Sequence, residues 1–186
     1  MDVALSSLAI PILLSAVIVF VASSVMHMML TYHKKDFGTL PDEDGLLDAF
    51  RRLKIPPGDY CAPKAESMEA MKSPAFLEKV AKGPVVIMTV GAGGPMNMGA
   101  QMTQWFVYSV VISFFAAYVT SRVLTADAHY LEVFRVAGTV AFMGYAMSLP
   151  QFSIWYKRNW GTTFRSMFDG LVYSLLTAGT FGWLWP

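Results

Sequence analysis

The sequence is poor in cysteine, in charge and in histidine, and each shortage removes a class of function. Cys61 is the one cysteine in 186 residues, which excludes an intrachain disulfide and any paired-thiolate zinc or redox motif. A single thiol here reads as a small core residue. Charged residues make up 15% of the chain, against about 25% in an average soluble domain. The formal net charge of +1 leaves no basic surplus for nucleic acid. The run Gly91-Ala92-Gly93-Gly94 lacks the Lys-Ser/Thr end of a phosphate loop, does not match G-x-G-x-x-G, and is followed by Pro95. It reads as a connector. The chain shows no Ser/His/Asp, Cys/His, paired-carboxylate or metal-ligand spacing, so an enzyme is the least favoured class.

What the chain has in excess is apolar and aromatic surface: 55% hydrophobic and 14% aromatic residues, with a mean hydropathy of +0.46. Residues 5–30 carry no charge, long enough at 1.5 Å per residue to cross a hydrocarbon core of about 30 Å. This run starts at Met1-Asp2 and is followed by His33-Lys34-Lys35, the reverse of a signal peptide's charge order. It reads as an anchor within residues 1–33, its N-terminus outside. Residues 102–186 hold three more expected spans, at about 104–123, 131–150 and 168–185. Each carries small residues at helical spacing, the pattern by which helices approach closely in lipid. In the third these are Ala137, Ala141, Gly144 and Ser148; in the last, Gly170, Ser174, Ala178 and Gly182. The loop 151–165 reads as basic and aromatic. Of the fourteen Lys/Arg, nine lie in 34–101 and three in that loop, so the positive-inside rule places both termini outside. The expected fold is an all-α integral membrane protein of four transmembrane helices.

Residues 34–101 form a cytoplasmic insertion with two short amphipathic helices and one strand. Asp42, Glu43 and Asp44 precede Leu46, Leu47, Phe50 and Leu53, and Arg51, Arg52 and Lys54 follow, a charge order that complements a helix dipole. Their spacing, with Asp36, is not that of a calcium loop. Ser73 and Pro74 suit a helix start and Gly83 its end. The β-branched run 85–90 reads as a single strand without a visible partner, lying against the bundle or a neighbouring protein.

The stretches LTYHKKDF, IPPGDY, GPVVIMTV, YLEVFRVAGTVAF, SIWYKRNW and DGLVYSLLTAGTFGWLWP resemble a group of small bacterial four-helix inner-membrane proteins with no assigned activity. The resemblance covers most of the chain from His33 onward. It implies a helical fold in a bacterial cytoplasmic membrane and carries over no catalytic residue.

Two positions invite chemistry. Glu132 and Arg135, at i and i+3, would form an ion pair near the outer edge of the third span. His27, one turn from the inner end of the first span, could ligate a haem or pigment, but bis-His ligation needs a second histidine at its depth; His33 reads as interfacial and His129 lies on the opposite side. Interhelical hydrogen bonding is the plainer reading of His27, and Asp169 is read as facing Arg165 at i−4. No metal site and no cofactor of its own are expected. The leading functional expectation is a non-catalytic accessory subunit of a larger membrane complex, respiratory or photosynthetic, partnered by other integral-membrane subunits. The alternatives are a homo-oligomeric channel or transporter and a pigment- or haem-binding protein.

Overall fold

A computed structural model describes residues 3–95 and 97–186. The chain is mostly helical and divides into two compact units, Met1–Phe37 with Asn97–Pro186, and Gly38–Met96.

The first unit is built on α1 (Ala9–Met28), α5 (Met98–Val123), α6 (Tyr130–Tyr145) and α8 (Trp160–Trp183). In this unit α1 packs on α5 and α8, and α6 packs on the same two. Together with the 3-10 turn Leu5–Leu8 ahead of it, α1 makes a 24-residue apolar helix of mean hydropathy 2.5, and α5 makes one of 26 residues at 1.5. These two are long and apolar enough to cross a membrane. Helix α6, with 16 residues, spans only about 24 Å. It stops at Tyr145 rather than at 150. Pro150 has no N–H to continue the ladder and instead opens the short helix α7 (Pro150–Tyr156). The stretch expected as a loop at 151–165 is therefore largely helical. Helix α8 starts at Trp160, eight residues before the expected span, because the Asn159 side chain accepts a hydrogen bond from the Gly161 N–H at 2.7 Å and caps it.

The second unit contains α2 (Glu43–Leu53), β1 (Gly58–Ala62), α3 (Met68–Met71), α4 (Pro74–Lys82) and β2 (Val86–Val90). The caps read from the sequence are present: Asp42 accepts from the Gly45 N–H, Ser73 accepts from the Phe76 N–H, and Gly83 ends α4 at φ 60°. The single strand needs correction. β2 has a partner, β1, paired antiparallel with Gly58 opposite Val90, Tyr60 opposite Met88 and Ala62 opposite Val86. Gly, Asp and Ala in GDYCA have low strand propensity, so this partner carried no periodic signal. Cys61, expected in a core, is exposed on β1.

The bundle interior falls into two clusters. One gathers Val3, Leu8, Ala116, Ala117, Val133, Ala137 and Phe181 where α1 and α6 begin and α5 and α8 end. The other gathers Val19, Met26, Ile112, Ala141, Tyr145 and Tyr173 toward the opposite end. Small residues bring α6 and α8 together. A Cβ at Gly138 would stand 2.9 Å from the Ala178 Cβ, and one at Gly170 2.9 Å from the Ala146 Cβ, so neither glycine can be enlarged without moving a helix. Of the expected packing residues, Ala137, Ala141, Gly170, Ser174 and Ala178 are buried; Gly144 and Gly182 are half-buried against Ile112 and Tyr130. Ser148 is exposed, because the helix has already ended there. Gly138, one position off the expected face, approaches α8 as closely as Gly170 approaches Ala146.

Candidate functional site

A cluster of buried and half-buried charged groups lies at the end of the bundle where α1 finishes. Helix α1 stops at Met28, and the chain turns back through a 3-10 turn, Tyr32–Lys35. In an unbroken helix, His33 would sit roughly 240° around the axis from His27. The turn instead stacks the two imidazoles with centroids 4.4 Å apart and planes 35° apart. This corrects the expectation that His27 has no histidine at its depth.

Helix α8 supplies the groups that face this pair. Asp169 is buried, and its Oδ1 accepts a short hydrogen bond from the Tyr32 hydroxyl. Its Oδ2 lies 2.9 Å from His33 Nε2 and 4.0 Å from His27 Nε2. The first distance is short enough for a hydrogen bond, yet the geometry aligns none, and His33 Nε2 is a buried nitrogen without a hydrogen-bond partner among the described residues. The other ring nitrogen, His33 Nδ1, is 2.7 Å from Asp36 Oδ2. Arg165 is fastened to Asp36, not to Asp169 as expected: its Nε and Nη2 reach Asp36 Oδ1 at 2.7 and 2.6 Å. Tyr173 places its hydroxyl 3.4 Å from His27 Nε2, above a packed group of rings formed with Trp105 and Tyr145.

Two protonation states follow from this geometry. Burial raises the Asp36 carboxyl, but the hydrogen bonds and charges of His33 and Arg165 outweigh it and hold the group below the usual carboxylate range. The Tyr32 phenol is pushed well above its ordinary value by burial, by its hydrogen bond to Asp169 and by the charges of Asp169 and Asp36. It therefore stays protonated and can only donate to Asp169.

Comparison with protein families, curated proteins and solved structures gives no match. The chemistry rests on the residues themselves.

The other expected site dissolves. Glu132 Oε2 accepts from the His129 backbone N–H at 3.0 Å, and the His129 side chain accepts from the Leu131 N–H, closing a box that caps α6. Both Glu132 and Arg135 are exposed, and no ion pair joins them among the described residues. For bis-His haem, two imidazoles must face each other across the iron, with nitrogens roughly 4 Å apart at about 2 Å per bond. Rings stacked side by side cannot do this.

His27 was singled out in the sequence. His33, Tyr32, Asp36, Arg165 and Asp169 were not joined to it, although Tyr32-His33 and Asp36 in one short stretch, and Arg165 with Asp169 at i+4, hinted at a polar patch. Pairing them required the turn after α1 and the packing of α1 on α8.

Proposed function

We propose that this chain is a four-span protein of a bacterial cytoplasmic membrane, both termini outside, that serves as a non-catalytic subunit of a larger membrane assembly. One observation carries the reading: the bundle is apolar outside and hydroxyl-rich inside. Ser15, Ser23, Ser109, Ser113, Thr120, Ser174, Thr177 and Thr180 are buried, whereas Leu13, Val17 and Val21 on α1, Val107, Val111, Phe114 and Phe115 on α5, Met143 on α6 and Leu171 and Leu175 on α8 are exposed. The buried hydroxyls bond to carbonyls three or four residues earlier in their own helices, as Thr120 does to Ala116 at 2.7 Å, or across helices, as Ser15 does to Ser113 at 3.0 Å. Such an arrangement suits a hydrocarbon solvent. Helix α8 shares it through buried Ser174, Thr177 and Thr180 and exposed Leu171 and Leu175, while α6 buries small apolar residues and turns Met143 outward.

The same bundle speaks against transport by a single copy. The buried ionisable side chains described lie at one end, and the apolar cluster around Leu8, Val133 and Phe181 fills the other. A subunit that packs and positions needs no polar path between the two. Membrane fractionation followed by native mass spectrometry in mild detergent tests both halves of the reading. We expect resistance to carbonate extraction and migration with other membrane proteins. Release by carbonate would overturn the membrane placement, and a particle of this chain alone would overturn the subunit role.

A further inference from the structure

The cluster at the end of α1 does more than join two helices. Its charges do not balance pair by pair. Arg165 neutralises Asp36, but Asp169, with a side chain only 4% exposed, receives one hydroxyl hydrogen bond and, among the described residues, no aligned hydrogen bond from the imidazole 2.9 Å away. A buried carboxylate without a positive partner is costly. The nitrogen nearest to it is also in an awkward state. If His33 donates its Nδ1 proton to Asp36, the neutral ring turns a lone pair from Nε2 toward Asp169 Oδ2, 2.9 Å away. Two lone pairs at that distance require a cation between them or a second proton on the ring.

We propose that His27, His33 and Asp169 form a binding site for a divalent transition-metal ion. One ring nitrogen of each histidine and one carboxylate oxygen of Asp169 all lie within 4.8 Å of one another. Ligand atoms around a tetrahedral ion, at about 2.0–2.1 Å from it, are roughly 3.3 Å apart. The 2.9 and 4.0 Å distances to Asp169 Oδ2 bracket that value. The adjustment falls on His27, whose side chain is 52% exposed and free to turn.

The surroundings match what such an ion needs. Asp36 holds the His33 tautomer that leaves Nε2 free, Arg165 holds Asp36, and Tyr32 orients Asp169 through its other oxygen. Two imidazoles and one carboxylate suit zinc, cobalt, nickel or ferrous iron; magnesium and calcium prefer sets made of oxygen. Three protein donors also leave at least one coordination position open, on the exposed side of His27. The site goes beyond the subunit role and does not depend on it, since it lies within one chain.

Titrating the untagged, chelator-treated full chain in detergent with cobalt(II), and then displacing cobalt with zinc(II), tests the proposal. We expect one ion per chain, visible d–d bands of low symmetry, and no displacement by magnesium or calcium at equal concentration. Asp169→Asn and His33→Ala should each weaken binding by 100-fold or more, and Tyr32→Phe by about 10-fold. His27→Ala is the folding control: it should keep the metal-free Tm and lose the rise in Tm that saturating zinc gives the parent chain. Absence of saturable uptake, with nitrogen-15 NMR showing His33 protonated on both nitrogens, would overturn the site in favour of an imidazolium bridge. Uptake that Asp169→Asn leaves unchanged, or that calcium displaces equally, would overturn it as well.

Discussion

The two ends of the helical bundle solve the same packing problem with different materials. At one end the apolar side chains of Val3, Leu8, Ala116, Ala117, Val133, Ala137 and Phe181 close the interior. At the other, a turn after α1 lays Tyr32, His33 and Asp36 against Arg165 and Asp169. The apolar end gains from volume and shape, so any residue of matching size would serve. The polar end gains only where every donor and acceptor meets its partner, and among the described residues His33 Nε2 there does not. Shape alone does not require such an arrangement, which is why the polar end carries the ligand proposal and the apolar end does not.

Substitutions at each end can break or sharpen this contrast. The largest effect is expected from Phe181→Ala, which empties the site of the largest fully buried side chain and should cost about 3–5 kcal/mol. Measured by thermal or denaturant unfolding in detergent, that loss should leave cobalt affinity unchanged; a parallel loss of affinity would mean the two ends are not independent. At the polar end, Asp36→Asn in chelated protein should cost about 1.5–3 kcal/mol at pH 7, the range for hydrogen bonds to charged groups. Because the folded Asp36 carboxyl titrates below its unfolded value of about 3.9, its contribution is complete above that pH and disappears as pH falls through the folded value. The gap between parent and variant should thus stay constant from pH 7 to 5 and close below about 4. A gap that widens on acidification would refute the assignment.

Gly138→Val, which drives a side chain into Ala178, should cost about 1–3 kcal/mol, whereas the same change at exposed Gly93 should be silent. The smallest effect is expected at the start of α6. Glu132→Ala should cost about 0.5–1 kcal/mol through the capping box, and Arg135→Ala nothing measurable. Equal losses in the two would restore the ion pair.

How much of this is legible in the sequence differs from element to element. The first apolar helix and the caps at Asp42 and Ser73 are local features, and they appear as read; the small residues Ala137, Ala141, Gly170, Ser174 and Ala178 recur at helical spacing and are buried. The end of α6 and the start of α8 were displaced. Hydropathy averages over Pro150 and Asn159, whereas the backbone obeys the missing N–H of one and the capping oxygen of the other. The β1 partner was missed because its pairing with β2 is decided 24 to 32 residues away in the chain, by hydrogen bonds that leave no mark in residue type. Of the polar cluster the sequence marks His27 as a candidate ligand and Asp169 with Arg165 as a pair, but how these meet Tyr32, His33 and Asp36 is interpretable only once α1 and α8 lie side by side.

Composition and periodicity by themselves determined that this chain makes apolar helices with small-residue faces and separates them by a charged segment. These are properties of single helices, set by which side chains recur every three or four residues. Which helix faces which, and that a turn at residues 29–36 folds His33 back over His27 and onto Asp169, was decided only by the tertiary structure. Metal-ligand geometry depends on distances of a few ångströms between side chains up to 142 positions apart, and no local pattern encodes such a distance.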